Sequence, residues 1–465
     1  MGAPDIDETT VELLRGTGSA KHVTVLLGAG ASVQSGLPDW DTLAERLLLG
    51  SGSVEEKSVA ELLVRRQDPM LAAEAAREAA GTAWRTLLSR SLYEGAGALD
   101  FSPLQLAAVG HLLRVGPDRA RLVTLNFDVL LEEAITSEGA GPVSSWCGEA
   151  RVDDESWVVS HLHGVVTETT AREVVVTLSD FTDLMSRLEP WQLGHLRECA
   201  EKGALILAGT SYRDPDLRQW LRAALASAPE GHAALVLLAR QGLEMDREQF
   251  RAAERALRDQ WHAIGMRAIP VHDHADAAQL LRELPHIDEP GYLPPAARAR
   301  KVWDGVASGF DELQRSFSDQ LAKDSAELAR ALGERAVKLT LWLADGRRGL
   351  VRWAVQDRLY RDPNALRIVE IGFDSPWIAG KALGEEALRF RDAEGQDSTA
   401  RRWRSVLALP VLISLDPWPS FAGAVLSAGL PGTVESYESR QEFWGPCLQE
   451  LAVAWGERLA DVARR

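Results

Sequence analysis

Cysteine is scarce in this sequence, and the three cysteines, Cys147, Cys199 and Cys447, lie far apart. They form no C-x-x-C pair, so neither a disulfide framework nor a cysteine-rich zinc site is indicated. The chain also lacks an apolar run of the roughly 18 residues that a membrane-spanning helix needs. Its acidic N-terminal segment, MGAPDIDETTVELLRG, has no hydrophobic stretch typical of secretory signals. We therefore expect a cytoplasmic protein with no bound metal and no membrane segment.

Basic residues are fewer than acidic ones. The chain has 51 Lys and Arg against 68 Asp and Glu, and its formal net charge is −17. Non-specific binding to nucleic acid requires clustered Lys and Arg, so a nucleic-acid partner is not expected. An anionic nucleotide remains compatible with this charge, because backbone N–H groups can hold phosphates locally. The 46% hydrophobic share is typical of globular proteins, and 465 residues predict two or three domains.

Short apolar runs alternate with helical patterns in the N-terminal part of the chain. This alternation predicts an α/β domain with a parallel sheet covered by helices on both faces. The predicted strands are 22–28, 121–126, 157–162, 173–178, 204–209 and 233–239. The longer helical patterns lie at 40–49, 71–94, 102–114, 128–135, 181–202, 214–228 and 246–264.

The C-terminal part differs in character. A proline-rich segment indicates a linker, and apolar residues at steps of three and four from Trp303 to Leu332 then predict one long amphipathic helix. This helix is compatible with packing on its own domain and equally with a dimerising coil. Antiparallel strands and a terminal helix, 443–463, predict an α+β module. The predicted organisation is a first domain at 1–285, a linker with the amphipathic helix at 286–336, and a second domain at 337–465.

The stretch VTVLLGAGASVQSGLPDW, residues 23–40, ends a buried strand on small residues. A glycine-rich turn of this kind lets backbone N–H groups approach a diphosphate. The third glycine of the G-x-G-x-x-G dinucleotide fingerprint is absent, and a helical pattern replaces the strand that would carry a ribose-binding acid. By itself the stretch is compatible with a phosphate site and equally with an ordinary turn before a helix.

The segment VTLNFDVLLEEA joins a predicted strand to a predicted helix. Thr124, Asn126 and Asp128 alternate along the end of this strand and therefore project from one face. The carboxyl ends of parallel strands are where such sheets bind ligands. Asp128 is also compatible with a structural role as the N-cap of the following helix.

Two later motifs also place polar groups after predicted strands. In SHLHGVV, His163 precedes a glycine and can present its imidazole to an open site, although a lone histidine is often a structural hydrogen-bonding residue. We assign that structural role to His161, which has no adjacent glycine. In LILAGTSYRDPDLRQWL, a strand runs into Gly209, Thr210 and Ser211.

The order of these motifs is more specific than any one of them. The succession GAGAS, SGLPDW, TLNFD, HLHG, LSDF and GTSYRDPDL resembles the sirtuin-like NAD-consuming domains of bacterial antiphage defence proteins over roughly residues 15–285. This resemblance implies a Rossmann-like sheet whose strand ends bind NAD as the substrate. It implies catalytic roles for Asn126, beside the nicotinamide, and for His163, as the base.

The resemblance also implies which loops bind NAD. One loop would grip the diphosphate and the nicotinamide ribose, a second position would lie beside the nicotinamide, and a third loop would face the adenosine. Thr124 joins this set because it shares a strand face with Asn126. The NAD-binding residues are therefore expected to be Gly28, Ala29, Gly30, Ser32, Pro38, Asp39, Trp40, Thr124, Asp128, Gly209, Thr210 and Ser211.

Three features depart from the deacylase sirtuins and their relatives. Leu125 stands where deacylases carry Gln, the zinc-binding cysteine pairs are missing, and Phe181 stands where many relatives have Tyr. The first two departures oppose a protein-deacylase role, because the module that presents acyl-lysine peptides is absent.

The C-terminal pattern, including the strand from Ser405 to Pro410, is similar to a GAF-type sensor domain and is also compatible with an unrelated α+β domain. Together the resemblances imply a homo-oligomeric NAD+ glycohydrolase of antiphage, abortive-infection defence. It would stay latent until a phage-derived or small-molecule trigger acts at the C-terminal domain. The same site is compatible with an ADP-ribosyltransferase, with a cyclase, and with a non-catalytic NAD or ADP-ribose sensor.

Overall fold

A computed structural model describes residues 6–95, 100–148, 157–210, 214–228, 232–347, 349–392 and 403–465. The chain forms two compact units, one of residues 16–270 and one that combines the residues up to 15 with 271–465. This division lies nearer the N-terminus than the predicted boundary at 285. The difference arises because the helix His274–Glu283 packs against the helix Ile378–Glu385 of the second unit.

The unit of residues 16–270 contains a seven-stranded sheet and a two-stranded hairpin. Its strands are β1 Val23–Leu27, β2 Ala120–Thr124, β3 Val143–Trp146, β4 Trp157–His161, β5 Val165–Val166, β6 Ala171–Arg172, β7 Ala204–Ala208, β8 Ala234–Ala239 and β9 Arg267–Val271. The sheet has the order β3-β4-β2-β1-β7-β8-β9, and β5 pairs with β6 in the hairpin. The pairs of β1 with β2 and of β1 with β7 are parallel, which confirms the predicted Rossmann-like α/β class. Every residue of β1, β7 and β8 is buried, as expected for strands covered on both faces.

The strand order changes direction at β1. The chain passes from β1 to β2 and β4 on one side of β1, and it returns to β7 and β8 on the other side. The loops after β1, β2 and β7 therefore diverge around a crevice at the carboxyl ends of the strands. Open α/β sheets bind ligands at such a point.

Several helices of this unit begin at a side-chain cap. The helix that follows SGLP begins after Asp39, whose side chain accepts from the Thr42 amide, and it ends at Gly52 in the left-handed conformation. The α-helices are Gly30–Val33, Trp40–Ser51, Lys57–Arg66, Pro69–Ala80, Trp84–Tyr93, Pro103–Val115, Leu130–Ser137, Leu178–Met185, Trp191–Lys202, Pro215–Leu225 and Arg247–His262.

Three predicted elements of this unit differ from the structure. The predicted strand 173–178 is wrong, because Thr177 caps the helix Leu178–Met185 in a capping box with Asp180. The predicted helices 71–94 and 181–202 are each interrupted. The first breaks at a short 3₁₀ turn that starts at Gly81, and the second breaks at Pro190.

The second unit contains a six-stranded antiparallel sheet. Its strands are β10 Lys338–Ala344, β11 Leu350–Val355, β12 Ile368–Val369, β13 Arg389–Asp392, β14 Ser405–Ile413 and β15 Phe421–Leu430. They lie in the order β12-β11-β10-β15-β14-β13. Its α-helices are Glu8–Glu12, His274–Glu283, Pro295–Ser308, Phe310–Leu332, Ile378–Glu385, Val434–Glu438 and Gln441–Arg464. Among the described residues, no helix is long and apolar enough to cross a bilayer.

The predicted amphipathic helix is two helices that meet at Gly309. Its apolar stripe is buried in the core of the second unit, where Phe317, Leu321 and Leu328 pack with residues of the sheet and of the C-terminal helix. Asp324 interrupts the stripe because its carboxylate accepts from the Trp455 indole N–H at 2.8 Å. The stripe is therefore covered within its own unit and gives no support to a dimerising coil.

Candidate active site

A cavity of about 680 Å³ lies beyond the carboxyl ends of β1, β2 and β4 in the first unit. This volume lies within the range of cofactor and substrate sites. Its described lining comprises Ala29, Ser32, Leu37, Pro38, Asp39, Trp40, Leu43, Gln67, Asp68, Pro69, Met70, Leu92, Leu125, Asn126, Phe127, Asp128, His163, Val175, Phe181, Asp214, Asp216 and Arg218.

The cavity brings together many, but not all, of the predicted site residues. Those that line it are Ala29, Ser32, Pro38, Asp39, Trp40, Asn126, Asp128 and His163. Those that do not line it are Gly28, Gly30, Thr124, Gly209 and Thr210. Ser211 lies outside the described residues.

Gly28 and Gly209 are required by the packing of one turn against another. A Cβ on Gly28 would lie 2.6 Å from the Thr210 Cα and 2.7 Å from the Gly209 carbonyl oxygen. The Gly30 amide donates to that same carbonyl at 2.7 Å. Gly209 has a φ of +66°, a conformation that favours glycine. The absence of a side chain at these two glycines therefore lets the turn after β1 pack against the turn after β7. Neither glycine lines the cavity.

Ser32 is the hydrogen-bonding centre that orients Asn126. The Asn126 side-chain NH₂ group donates to the Ser32 hydroxyl at 2.7 Å and to the Gly28 carbonyl at 3.1 Å. The Ser32 hydroxyl also accepts from the Gln105 amide at 3.3 Å. Both amide hydrogens of Asn126 are thus used within the protein, and its carbonyl oxygen is the side-chain atom left to accept a hydrogen bond from a ligand.

Thr124 supports Asn126 from beneath the cavity. Its hydroxyl donates to the Leu27 carbonyl at 3.2 Å and accepts from the Asn126 backbone amide at 3.0 Å. Thr124 is itself buried. It therefore fixes the backbone of Asn126, whereas the sequence had placed it among the residues that contact NAD.

Asp128 lines the cavity and also supports the next helix. One carboxylate oxygen accepts from the Leu130 amide at 3.2 Å. Burial raises the pKa of Asp128, and the hydrogen bonds from Ser32 and Leu130 oppose that rise. The Asp128 carboxyl group therefore serves both roles that its sequence position allows. It supports the following helix, and it faces the cavity.

His163 pairs with a carboxylate at the wall of the cavity. Its Nε2 lies 2.7 Å from the Asp216 carboxylate, and 12% of its side chain is exposed. Burial alone would lower the pKa of His163, but the charge and hydrogen bond of Asp216, with smaller contributions from Asp214 and the Leu125 carbonyl, raise it overall. The same pairing lowers the pKa of Asp216 against the effect of its burial. The arrangement orients the imidazole and strengthens it as a base.

His161 forms a second pair that is closed to the cavity. Its Nε2 lies 2.8 Å from the Glu132 carboxylate, and its Nδ1 lies 3.0 Å from the Asn126 backbone carbonyl. The side chain is fully buried. His161 therefore connects the strand end of β4 to the loop that carries Asn126.

Several lining residues were missed by the sequence reasoning. Asp216 belongs to the GTSYRDPDL motif and Arg218 follows directly after it, and the signal that could have found Asp216 is a carboxylate in the first turn of a helix after a strand end. The segment Gln67–Met70 comprises the two-residue connection between two helices and the start of the helix Pro69–Ala80, and no strand-end pattern marks it. The indole of Trp40 lies near the ring of Phe127, with centroids 6.3 Å apart, and both line the cavity.

Carboxylates dominate the charge of the cavity. Its described lining contains five of them, Asp39, Asp68, Asp128, Asp214 and Asp216. Arg218 is the only Lys or Arg side chain in that lining. Within the described ranges, no group of three or more His, Cys, Asp and Glu side chains is placed to hold a metal ion.

The comparisons with known proteins agree with a sirtuin-like character for this part of the chain. Residues 120–269 match a family model described as a SIR2-like domain. A search of curated proteins finds no match. The family match supports the predicted sirtuin-like domain, and it says nothing of the second unit.

Three solved structures are similar to this chain at low identity. One, from work on the mechanism and regulation of Sir2 enzymes, is 14% identical with a TM-score of 0.35, covering 60% of this chain and 98% of the other. A Sir2 homologue–NAD complex is 17% identical with a TM-score of 0.33, covering 59% and 93%. A mutant Sir2 homologue in complex with 2′-O-acetyl ADP-ribose is 15% identical with a TM-score of 0.32, covering 62% and 100%.

Proposed function

We propose that the unit of residues 16–270 hydrolyses NAD+ to nicotinamide and ADP-ribose. The observation that carries this proposal is the meeting of the His163–Asp216 pair and the Asn126 carbonyl oxygen in one cavity at the strand ends. The SIR2-like match over residues 120–269 supports an NAD-dependent enzyme in general. The finer assignment, hydrolysis, rests on the sequence resemblance, and the chemistry of these side chains is compatible with it.

The reaction breaks the bond between the nicotinamide nitrogen and the ribose carbon. Nicotinamide leaves as a neutral molecule, and the ribose passes through an oxocarbenium-like state similar to that of glycoside hydrolysis. A water molecule then adds to the ribose carbon, and its proton must be removed. Such a reaction requires a site that positions water and accepts a proton.

Asn126 and His163 supply these two properties. The Asn126 carbonyl oxygen can accept a hydrogen bond from the attacking water or a ribose hydroxyl, because both of its amide hydrogens are already committed. His163 takes up the proton as general base. Because Nε2 pairs with Asp216, the Asp216 carboxylate stabilises the cation that forms when His163 takes up the proton.

The wider role rests on the sequence resemblance. We propose a latent effector of antiphage defence whose second unit is a GAF-like sensor of a phage-derived or small-molecule signal, and which acts as a homo-oligomer. The burial of the 303–332 stripe within the second unit means that this stripe is not the basis of an oligomer.

Product analysis tests the enzymatic proposal. Purified full-length protein is incubated with NAD+ over a range of protein concentrations, and nicotinamide, ADP-ribose and cyclic ADP-ribose are quantified by chromatography. We expect nicotinamide and ADP-ribose in equal amounts. Cyclic ADP-ribose or a protein-linked ADP-ribose in place of the free product would identify a cyclase or a transferase. Because the proposed latent effector acts as a homo-oligomer, activity is expected at the highest protein concentrations. Binding of NAD+ without nicotinamide release even there would indicate a sensor.

A further inference from the structure

The turn after β1 has few backbone amides left for a diphosphate. The amides of residues 30–33 each donate to a carbonyl of the same turn or of Gly209, at 2.7 to 3.0 Å. The Gly28 amide donates to the Ala208 carbonyl at 3.0 Å. Among the described hydrogen bonds of this turn, the Ala29 amide is the one that has no backbone acceptor. The glycine-rich turn can therefore offer one N–H group, which is a weak counterpart for a doubly charged diphosphate.

The cavity around this turn is also unfavourable to an anion. Its described lining contains five aspartates and a single arginine, Arg218. Carboxylates within reach of a diphosphate repel it, and this repulsion is strongest in a partly enclosed site of low dielectric. A dinucleotide bound in this cavity therefore needs a cationic partner, and Arg218 is the candidate in the described lining.

Arg218 is well placed for this role. It lies in the first turn of the helix Pro215–Leu225, on the same wall as Asp216. Its guanidinium carbon lies 5.6 Å from the centroid of the buried Trp261 ring, so the aromatic face restricts the side chain. A planar guanidinium can donate two parallel hydrogen bonds to phosphate oxygens, which an ammonium group does less well.

We propose that Arg218 is the charged anchor for the diphosphate of the dinucleotide, beside the Ala29 amide. This inference rests on the proposed function, and it adds the residue that distinguishes a diphosphate ligand from a neutral nucleoside. Arg218 then contributes to binding, whereas Asn126 and His163 act on the reacting ribose. Removal of the Arg218 charge should raise KM and leave kcat nearly unchanged.

The test compares two arginines of one helix. Arg218→Gln removes the cation from the cavity, and Arg222→Gln removes an exposed arginine one turn further along, outside the cavity lining. The Kd of ADP-ribose is measured by calorimetry for the full chain, and adenosine, which has no phosphate and no net charge, is the neutral probe. Thermal unfolding of each variant reports whether the fold is retained.

We expect Arg218→Gln to bind ADP-ribose about 10- to 100-fold more weakly, which is the usual effect of losing a charged hydrogen bond. Adenosine binding to this variant should be unchanged, and the Arg222→Gln variant should bind ADP-ribose as wild type does. Arg218→Lys should recover part of the affinity, because it restores the charge without the planar fork.

Wild-type affinity for ADP-ribose in a folded Arg218→Gln protein would overturn the proposal. An equal loss in Arg222→Gln would also overturn it, since the effect would then be one of overall charge. If wild-type protein binds ADP-ribose through Arg218 but releases no nicotinamide from NAD+, the anchor stands and the proposed hydrolysis fails. If wild-type protein binds no ADP-ribose, the anchor proposal fails, and the proposed hydrolysis is decided separately by nicotinamide release from NAD+.

Discussion

Two histidine–carboxylate pairs lie two residues apart in this molecule, and they have nearly the same geometry. His161 lies 2.8 Å from Glu132, and His163 lies 2.7 Å from Asp216. The His161 side chain is fully buried and both of its ring nitrogens are bonded inside the protein, whereas His163 lines the cavity. A histidine beside a carboxylate is therefore not in itself evidence of catalysis. Access to a cavity that also holds Asn126 separates the two.

The largest expected effect comes from removing the histidine that lines the cavity. His163→Ala should lower NAD+ cleavage by about 10²- to 10⁴-fold, the range typical for loss of a general base. ADP-ribose binding should persist, because the proposed diphosphate contact is Arg218 and not His163. The measurement is nicotinamide release under saturating NAD+, with calorimetry of ADP-ribose as the control. Turnover close to wild type in this variant would remove His163 from the mechanism.

The next effect concerns Asn126, which is proposed to position the reacting water. Asn126→Ala should reduce kcat by roughly 100-fold, which is a typical cost of misplaced reacting atoms. KM should change little, since Asn126 acts on the ribose centre. Steady-state kinetics over a range of NAD+ concentrations separate the two parameters. If KM rises while kcat is maintained, Asn126 is a binding residue and its assigned role is wrong.

A smaller effect should follow from changing the partner of His163. A general base must be neutral, so cleavage should increase as the pH rises through the raised pKa of His163. Asp216→Asn removes the charge that raises this pKa while the burial that lowers it remains. The acid limb of the pH–rate profile should therefore move to lower pH, and the plateau should fall about tenfold because the ring is less well oriented. An acid limb that stays in place would show that Asp216 does not control the titrating group.

The smallest effect on turnover is expected for the His161–Glu132 pair, which is closed to the cavity. His161→Ala removes the imidazole that pairs with the buried Glu132, which keeps its hydrogen bond from the Ser145 hydroxyl, and breaking a buried pair in this way costs about 3 kcal/mol or more. We expect an earlier unfolding transition in urea for the full chain. Where the variant is folded, its turnover should stay within a few-fold of wild type. A stability equal to that of wild type would show that the Glu132 pair contributes little.

The comparison also shows how far the sequence could predict the site. Asn126, Asp128 and His163 could be placed because short apolar runs mark strands, and polar residues at their carboxyl ends meet in a parallel sheet. The carboxylate partners of the two histidines were not predicted, because Glu132 and Asp216 lie on helices that are distant from these histidines in the sequence. The segment Gln67–Met70 includes a helix-to-helix connection and the start of the helix Pro69–Ala80, and it carries no strand-end signal.

The fold was predicted where burial produces a continuous pattern. The fully apolar strands of the first unit were found, whereas the mixed strand VSSW of β3 was too polar to be recognised. In the second unit, the apolar stripe on the helix Phe310–Leu332 was visible, but its partner was not. Periodicity shows that a face is buried, and tertiary structure is needed to show by what.

The most direct test of the account compares the two histidine variants in one assay. Nicotinamide release from NAD+ is measured for wild type, His161→Ala and His163→Ala, at a temperature at which thermal unfolding shows all three to be folded. The account predicts that the His161 variant cleaves NAD+ at a rate within a few-fold of wild type, while the His163 variant is at least about 100-fold slower. Equal loss in both folded variants, or cleavage that survives in the His163 variant, would contradict it.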